Sequence, residues 1–510
     1  MAAVNFGICE KCRKSVPATH VIRDGQVYIV KECPDCGTSE ALISTNAAVW
    51  QRKREVWHFD PEAVGECGLN CLTCGYQHNP RMVFLDVTNR CNMNCPICIA
   101  NIPGMGFEFN PPLDYFERVL DGLAAMEVKP FVNLFGGEPT VRGDLFQIIR
   151  MARDRKLPVG VATNGLRLAD EEYCKKICDS KVRVLLGFDG RDPEIYNRLR
   201  KDPAAYEKKL QALENLKKFS KRRHTIMCCV ARHINDKHMQ DLIEFCHENR
   251  DYIQFLHLIP LTETWDEGEF ETDVTTTVED VEQIIDGALP EDKVEFLPAG
   301  LGIHFEKAMS FFGSPRMRFG GVHPNCESAT FLFSDGERYR PPSYCLKRPI
   351  DEIAEESVRR AKAIGPKLGK LDPSRWFQRW RGRLLVLRTF GGLVFRSTRL
   401  RRVLKGNPYL SSLRFMAGLL IGKRFRDQVR KHTRLGEVVG MVILPFEEYH
   451  SIEGQRLRTC TAGFAFQDPD TEEIRTVPVC SWSLFRDDVE RKISEKYGIA
   501  SAKEQPLPVR

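Results

Sequence analysis

The sequence predicts an α/β fold: a partial (β/α)6 barrel of the TIM type, with a metal-binding hairpin module before it and a cysteine-bearing module after it. Three observations predict this architecture. Short apolar runs alternate with amphipathic segments from residue 81 onward, cysteines occur in closely spaced pairs and triplets, and a basic segment separates the barrel from the last two cysteines. A chain of 510 residues is also too long for one ordinary core, so several modules are expected.

Two Cys-x-x-Cys pairs near the N-terminus indicate a metal site. Cys9 and Cys12 form the first pair, Cys33 and Cys36 form the second, and the residues between the pairs alternate around a turn signal at 23–25. Two such pairs flanking a short hairpin match the spacing of a four-thiolate tetrahedral site. The second pair resembles that of rubredoxin, so iron and zinc are both open.

The apolar runs that follow indicate parallel strands. Strands separated by helices form right-handed βαβ units, and the active site of such a barrel lies at the carboxyl ends of its strands. The predicted strands are 83–87, 131–135, 159–162, 182–188, 225–230 and 253–259, with amphipathic segments at 112–126, 141–154, 203–220 and 235–249.

Composition predicts an intracellular metalloprotein. Hydrophobic residues make up 42% of the chain and charged residues 28%, as in a soluble globular protein. The N-terminus lacks the layout of a secretory signal, and no apolar stretch approaches the roughly 18 residues of a membrane span. The 19 cysteines are clustered, which indicates metal chelation under reducing conditions rather than disulfides. The predicted segments are a metal module at 1–66, an auxiliary segment at 67–80, the barrel at 81–350, a basic helical insertion at 351–435 and a C-terminal module at 436–510.

One cysteine triplet directly follows the first predicted barrel strand. Cys91, Cys95 and Cys98 have the spacing Cys-x3-Cys-x2-Cys. Three thiolates can bind three irons of a [4Fe–4S] cube and leave the fourth iron open for another ligand. A structural cluster or zinc is the alternative. Further polar motifs follow the next strands: Gly136-Gly137-Glu138 after the second, Thr163-Asn164 after the third and Asp189 after the fourth.

Together these motifs resemble the radical S-adenosylmethionine (SAM) superfamily. The resemblance implies that SAM binds the open iron and that one electron cleaves it to a 5′-deoxyadenosyl radical, which takes hydrogen from an unactivated carbon. It also implies that Gly136, Gly137 and Glu138 meet the methionyl ammonium group. One position departs from the superfamily pattern: the residue before the last cysteine, often aromatic, is Ile97.

The resemblance further implies roles for the polar residues after the third and fourth strands. Thr163 and Asn164 resemble the ribose-contacting position, and Asp189 lies in a GxDG-like element. Ordinary loop and cap chemistry is the alternative for all three.

Other cysteines predict one or two auxiliary clusters. Cys67, Cys71 and Cys74 repeat the triplet spacing, but no strand precedes them and no Gly-Gly-Glu follows. A fourth ligand could be His78, which is otherwise a surface or supporting residue, or a distant cysteine. The dispersed cysteines of the C-terminal part are further candidate ligands: Cys326, Cys345, Cys460 and Cys480.

The order of modules resembles one branch of the superfamily, which contains tetraether lipid synthase and a radical methylase of a pterin precursor. The similarity covers roughly residues 5–350 and 440–485 and implies several iron–sulfur clusters with a rubredoxin-like site. Residues 375–434 lie outside it. This segment has 17 Lys or Arg and one acid, a net charge of +16, whereas the other 450 residues sum to −10.

The basic segment interleaves arginine with Trp, Phe and Leu, as interfacial helices do, and anionic lipid headgroups attract such sequences. A solvated helical face is one alternative. Nucleic acid is another, although no recognised RNA-binding module accompanies the segment. We therefore expect a cytoplasmic protein, with peripheral attachment at the inner face of the membrane left open.

The leading functional hypothesis is a lipid-biosynthetic transferase that abstracts hydrogen from a lipid hydrocarbon chain and forms a carbon–carbon bond. The alternative is a radical SAM methyltransferase or modifying enzyme acting on a pterin-like molecule, a peptide or RNA. Either activity requires an electron donor, such as a reductase or a ferredoxin- or flavodoxin-type protein. A non-catalytic electron carrier would leave the Gly-Gly-Glu stretch without a purpose.

Overall fold

Strands of two separate sheets organise the protein. The computed structural model describes residues 4–76, 78–264, 270–313 and 317–499. Its strands are β1 Asn5–Ile8, β2 Ser15–Arg23, β3 Gln26–Cys33, β4 Gly37–Ser44, β5 Met82–Thr88, β6 Phe131–Gly136, β7 Val159–Thr163, β8 Arg183–Gly187, β9 His224–Val230, β10 Ile253–Pro260, β11 Leu297–Pro298, β12 Ser328–Ser334, β13 Tyr339–Arg340, β14 Val438–Ile443, β15 Ala462–Gln467 and β16 Ile474–Pro478. The first sheet has the order β1-β2-β3-β4. The second has the order β11-β12-β14-β10-β9-β8-β7-β6-β5-β15-β16, with β13 paired to β12.

Helices alternate with the central strands. They are α1 Ala47–Trp57, α2 Pro61–Val64, α3 Leu113–Ala125, α4 Leu145–Asp154, α5 Glu171–Asp179, α6 Pro193–Arg200, α7 Ala205–Phe219, α8 Met239–Glu248, α9 Val278–Ala288, α10 Glu306–Ser310, α11 Pro342–Cys345, α12 Ile350–Gly369, α13 Trp376–Ser397, α14 Leu400–Val403, α15 Pro408–Leu420, α16 Phe425–His432, α17 Gly454–Arg458 and α18 Val479–Lys496. No helix of the described ranges is long and apolar enough to cross a membrane.

The predicted hairpin is present in the N-terminal sheet. Asp24 and Gly25 join β2 to β3, and both have left-handed backbone angles, with φ of 50° and 77°. This is the geometry of a two-residue type I′ turn, which suits the twist of paired strands. Both cysteine pairs lie at the opposite end of the hairpin, where β1 connects to β2 and β3 connects to β4.

Strands β5 to β10 lie side by side in chain order and are parallel. This confirms the predicted six-stranded α/β barrel. The four predicted amphipathic segments contain α3, α4, α7 and α8. On α3 the buried side chains recur at helical spacing, from Tyr115 and Phe116 to Val119, Leu120 and Leu123, and pack on the sheet.

The strands of the C-terminal residues extend the barrel sheet at both edges, and the module predicted at 436–510 stays a prediction. β14 pairs in parallel with β10 at one edge of the barrel, and β15 pairs in parallel with β5 at the other. An apolar run such as VVGMVI predicts a buried strand but does not specify its neighbour. Both edges of a six-stranded sheet have unpaired backbone groups, which the late strands satisfy. The other predicted boundaries stay predictions.

A buried carboxylate joins the N-terminal sheet to the C-terminal part of the chain. Glu453 is 2% exposed and accepts a hydrogen bond from Asn5 Nδ2 at 2.6 Å, and its Oε2 lies 2.8 Å from His20 Nε2. The backbones of Gly7 and Glu453 also form an antiparallel bridge. Burial raises the pKa of Glu453, but His20 beside it outweighs burial and holds the pKa well below its usual range.

Replacing Glu453 with glutamine is expected to loosen the N-terminal sheet, because it removes the charge from a buried acceptor, and hydrogen bonds to charged groups contribute roughly 1.5–3 kcal/mol. Hydrogen exchange should become faster in β1 and β2 while β7 stays protected. The matched control is Glu40→Gln, which breaks an exposed pair with Arg23 and should change local stability by less than about 1 kcal/mol. Equal protection in the two variants would contradict the anchoring role.

Candidate active site

The predicted cluster cysteines lie in a loop that follows β5, here called the cysteine loop, residues 89–109. The triplet at 91, 95 and 98 is partly buried within it. Asn89 is fully buried and joins the two ends of the loop. Its Oδ1 accepts a hydrogen bond from the backbone N of Phe109, and its Nδ2 donates to the carbonyl oxygen of Phe107, both at 2.8 Å. The Asn89 side chain therefore closes the loop at its base.

The Gly-Gly-Glu stretch lies against the start of this loop. The backbone N of Gly137 donates to the Thr88 oxygen at 2.7 Å, and the N of Glu138 donates to the Arg90 oxygen at 2.9 Å. A Cβ at Gly136 would lie 2.2 Å from the Thr88 oxygen, and one at Gly137 would lie 2.3 Å from the Arg90 oxygen. Because only glycine permits this approach, the end of β6 fixes where the cysteine loop begins.

The Glu138 carboxylate joins the loops after β6 and β7. Its Oε1 accepts hydrogen bonds from the Thr140 backbone N at 3.0 Å, the Thr140 hydroxyl at 2.6 Å and the Thr163 hydroxyl at 2.8 Å. Its Oε2 accepts from the Asn164 backbone N at 2.6 Å. Asn164 also donates from Nδ2 to Asn92 Oδ1 in the cysteine loop at 2.8 Å. Residues 138, 163 and 164 thus form one unit, and their predicted contacts with SAM stay predictions.

Asp189 holds an arginine that no sequence motif indicated. The Asp189 side chain is fully buried and accepts hydrogen bonds from both Nε and Nη2 of Arg200, each at 3.0 Å. Burial alone would raise the pKa of Asp189, but the Arg200 guanidinium outweighs it and lowers the pKa. Burial raises the pKa of the Cys95 thiol, and Arg200 acts against that rise. The pair therefore places a positive charge beside the triplet.

Lys209 is a second basic residue of the site that sequence reasoning missed. It is 2% exposed, and its Nζ donates to the Asn164 oxygen at 2.6 Å and the Gly187 oxygen at 2.5 Å. Burial lowers the pKa of Lys209 to about 8. Its neighbour Lys208 is identical in type, and only helical phase distinguishes them, because Lys209 lies one turn after the buried Ala205 on α7. This helical spacing was the feature of the sequence that could have identified Lys209 as a buried residue.

A stack of aromatic rings lines one side of the barrel near the cysteine loop. Phe84 stacks on Phe464 with ring centroids 5.4 Å apart and meets the edge of Phe135 at 5.5 Å. Trp482 stacks on Phe464, with ring centroids 5.5 Å apart. Because side chains alternate along a strand, Phe84 lies on the opposite face of β5 from the fully buried Val83, which packs in the main core.

A buried charged group lies beside these rings. Asp86 accepts a hydrogen bond from Trp482 Nε1 at 2.9 Å and lies 3.3 Å from Arg486 Nε. Arg486 also donates to the Ala100 oxygen in the cysteine loop at 2.9 Å, and its Nη2 has no hydrogen-bond partner within the described ranges. Arg486 Nε also donates to Glu490 Oε1 at 3.2 Å, and burial raises the pKa of this carboxyl well above its usual value. The barrel face thus combines flat apolar surface with polar groups.

The four N-terminal cysteines meet as predicted. The sulfur atoms of Cys9, Cys12, Cys33 and Cys36 all lie within 4.8 Å of one another, and those of Cys12 and Cys33 are 3.6 Å apart. Tetrahedral metal–sulfur bonds of about 2.3 Å place ligand sulfurs roughly 3.8 Å apart. The set therefore fits one metal ion with four thiolate ligands.

The other triplet, Cys67, Cys71 and Cys74, lies in the segment between α2 and β5. Cys67 packs in a small apolar cluster that also contacts Cys480. Burial lowers the pKa of His78 to about 4, so its imidazole is neutral at pH 7, the form that can bind a metal. Both fourth-ligand alternatives, His78 and a distant cysteine, are thus still open.

Three of the four C-terminal cysteines come together. Burial raises the pKa of Cys326, and the thiols of Cys460 and Cys480 lie close enough to raise it further. The backbone N of Glu447 donates to the Cys480 sulfur at 3.4 Å. Arg456 connects this group to Glu447: its Nη2 donates to the Cys326 sulfur at 3.7 Å, and its Nε lies 3.2 Å from Glu447 Oε1. The buried atoms His323 Nε2 and Glu327 Oε2 have no hydrogen-bond partner in the described ranges. Such orphaned atoms beside thiols fit a missing metal group.

Cys345 does not join this group, which corrects the predicted four-cysteine set. It packs beneath the basic helices against Val403, Val429 and Leu435. Spacing along the chain cannot bring dispersed cysteines together, because the fold between them decides their positions.

The fold and the site define a class of enzyme: a parallel βα barrel whose first strand leads into a cysteine triplet, with a Gly-Gly-Glu stretch clamped against it. Residues 85–246 match the model of the radical SAM superfamily, and residues 6–45 match that of the HMPTM N-terminal zinc ribbon domain. The chain contains a radical SAM domain and is a radical SAM enzyme. Its cofactors are a [4Fe–4S] cluster and SAM, and the zinc ribbon match favours zinc at the four N-terminal cysteines.

Two relatives illustrate how far the similarity extends. The 7,8-dihydro-6-hydroxymethylpterin dimethyltransferase of Methanocaldococcus jannaschii is 27% identical over 391 residues, which are 72% of this chain and 76% of the relative. The AdoMet-dependent heme synthase of Methanosarcina barkeri is 32% identical over 139 residues, only 27% of this chain and 40% of the relative. A solved structure of native anSMEcpe with bound AdoMet has a TM-score of 0.37 and 21% identity, covering 47% of this chain and 70% of its own.

Replacing Gly137 with alanine is expected to displace the cysteine loop, because the added methyl group would overlap the Arg90 oxygen. Reductive cleavage of SAM should fall to background, and iron content after anaerobic reconstitution should fall by the iron of one cluster, because the other cysteine sets are untouched. Gly143→Ala is the matched control, since a Cβ there meets nothing within 4 Å. Normal cluster loading in the Gly137 variant would show that the clamp is dispensable.

Replacing Asp189 with asparagine is expected to weaken SAM binding about tenfold or more, because it removes the charged half of the bond that positions Arg200, worth about 1.5–3 kcal/mol. Equilibrium dialysis with the reconstituted protein measures the affinity, and iron content reports whether the cluster still forms. Asp179→Asn, which alters an exposed pair with Lys175, should leave both unchanged. An unchanged SAM affinity in the Asp189 variant would remove Arg200 from the site.

Proposed function

We propose that this radical SAM enzyme methylates a carbon of a pterin-like heterocycle. The observation that carries the proposal is the match to the pterin dimethyltransferase. It covers about three quarters of both proteins, whereas the match to the heme synthase covers 27% of this chain. A match over 391 residues extends well beyond residues 85–246, which the radical SAM model covers. The zinc ribbon match over residues 6–45 supports the same assignment.

The chain's own residues supply the ligands and the charge for this chemistry. The thiolates of Cys91, Cys95 and Cys98 hold the cluster, and the Gly136–Gly137 backbone lies beside it. Arg200 and Lys209 provide positive charge for the SAM carboxylate near Cys95. When bound, the cluster and SAM supply a 5′-deoxyadenosyl radical, which takes one hydrogen atom from the substrate carbon and leaves as 5′-deoxyadenosine.

The aromatic face of the barrel orients a flat substrate. Phe84 and Phe135 are partly exposed and offer ring surface for a heterocycle. The buried Phe464 and Trp482 stack behind Phe84, next to the buried pair of Asp86 and Arg486. The Nη2 atom of the buried Arg486 has no hydrogen-bond partner among the residues that the structure describes. Since Arg486 also binds the cysteine loop at Ala100, a substrate held there lies near the radical source.

Auxiliary clusters and an electron donor complete the proposal. Cys67, Cys71 and Cys74 form one candidate ligand set, and Cys326, Cys460 and Cys480 form another. A reductase or a ferredoxin- or flavodoxin-type protein supplies the electron.

The second candidate is hydrogen abstraction from a lipid hydrocarbon chain with carbon–carbon bond formation. It is favoured by the exposed apolar side chains of the basic insertion, where Trp376 is 79% exposed and Leu413 is 68% exposed.

Anaerobic assays distinguish the two candidates. The reconstituted, reduced enzyme should produce 5′-deoxyadenosine faster with a 6-hydroxymethyl dihydropterin than without it, and a methylated pterin should appear in equal or smaller amount. Methyl-labelled SAM then shows whether SAM is also the methyl source. Stimulation by archaeal-type or bacterial membrane lipid instead, with joined hydrocarbon chains as product, would support the second candidate and overturn the first.

The control separates radical chemistry from adventitious iron. Cys95→Ala should abolish 5′-deoxyadenosine formation with every substrate, because it removes one of three cluster ligands. Cys178→Ala, at a partly buried cysteine on α5, should retain the activity. Deoxyadenosine formation by the Cys95 variant would show that the triplet at 91, 95 and 98 is not the working cluster site.

A further inference from the structure

The basic surface, residues 375–434, carries an unusual amount of exposed apolar side chain. Among the described residues, seventeen large apolar side chains are exposed, and eleven of them lie in this segment. They are Trp376, Phe377, Trp380, Leu384, Val394, Phe395, Tyr409, Leu410, Leu413, Ile421 and Phe425. Scattered apolar residues on a surface are ordinary, whereas a concentration of this kind marks an interaction surface.

On α13 these side chains form one stripe. Trp376, Trp380 and Leu384 are spaced by four residues, and Val394 and Phe395 lie 18 residues after Trp376 and Phe377. At 3.6 residues per turn, 18 residues make five full turns, so all of them fall within an arc of about 100°. The buried residues of α13, among them Gly382, Val386 and Leu393, lie on the opposite side and pack on the body of the protein. The stripe faces away from the protein.

The stripe continues onto the next helices. The rings of Phe395 on α13 and Tyr409 on α15 have centroids 6.0 Å apart, and Phe415 on α15 meets Phe425 on α16 at 5.8 Å. Leu410 and Leu413 extend the apolar area along α15. The exposed faces of three helices therefore form one continuous surface.

Positive charge borders this apolar area. The segment has 17 Lys or Arg and one acid, Asp427. On α13 both Arg381 and Arg388 are exposed and follow the stripe on the same side. An apolar face with arginines at its border is the arrangement of helices that lie in the interface of an anionic bilayer, with side-chain stems in the apolar zone and charges at the headgroups.

We propose that the basic surface docks the enzyme on a bilayer containing anionic phospholipids. Charge complementarity selects this occupant: a second copy of the chain in a two-fold symmetric contact would bring the same positive charge and be repelled. Nucleic acid would satisfy the arginines but would leave aliphatic side chains such as Val394, Leu413 and Ile421 without a partner. The surface lies on the membrane, because no helix of the described ranges can cross it.

The test is sedimentation of the full-length reconstituted protein with vesicles. Vesicles with about one third phosphatidylglycerol should bind at least about tenfold more tightly than pure phosphatidylcholine vesicles, and binding should weaken as salt shortens the screening length from about 30 Å to about 8 Å. Trp376→Ser, Trp380→Ser and Leu413→Ser together should reduce the affinity for anionic vesicles about tenfold or more. Iron content and SAM cleavage should stay unchanged, which shows that the variant is folded.

A control variant removes exposed apolar side chains from a different part of the protein. Val4→Ser with Ile22→Ser removes exposed apolar side chains from the N-terminal sheet and should leave vesicle binding unchanged. Absence of binding, or equal binding to both vesicle types, would overturn the proposal. So would RNA that displaces the protein from vesicles and binds the triple variant as tightly as the wild type, because the surface would then be a nucleic-acid site. The readout needs no substrate, so it is independent of the proposed function.

Discussion

The close contact between the Gly136–Gly137 backbone and the end of β5 is the constraint on which the site depends. Two backbone hydrogen bonds, to the oxygens of Thr88 and Arg90, fix the first residues of the cysteine loop. From there the Glu138 carboxylate extends the connection to Thr163 and Asn164 after β7. The three loops that carry the predicted cluster and SAM residues are thus positioned by hydrogen bonds to one another, which fixes the geometry of the site.

Charged side chains beside the cysteine triplet act together with this geometry. Three thiolates in a partly buried loop concentrate negative charge, and Arg200 and Lys209 lie close enough to offset it. Neither cation is free in the protein, since Asp189 holds Arg200 and two backbone oxygens hold Lys209. Charges that are already oriented require little reorganisation when an anionic group arrives. The barrel strands therefore position the loops of the site, and helices α6 and α7 provide its positive charge through Arg200 and Lys209.

The sequence predicted those features that depend on local pattern. The six barrel strands, the hairpin with its Asp24-Gly25 turn and the four N-terminal cysteines all follow from periodicity, turn chemistry and spacing within short segments. The sequence did not predict features that depend on long-range placement. Nothing in the run VVGMVI shows that it joins β10, and nothing in the position of Cys345 shows that it packs away from Cys326. Lys209 could be separated from Lys208 only by its helical phase.

The pairing of β5 with β15 and of β10 with β14 has a consequence for how the protein is made. The partner of the first barrel strand, β5, lies about 380 residues later in the chain, and the partner of the sixth, β10, lies about 180 residues later. While the ribosome is still producing the middle of the chain, the nascent barrel presents two bare edges, the surfaces that proteins otherwise protect from edge-to-edge aggregation. The helical insertion lengthens that interval. Both edges are therefore covered only after the last strands have been synthesised. The same step brings Cys460 and Cys480 close to Cys326.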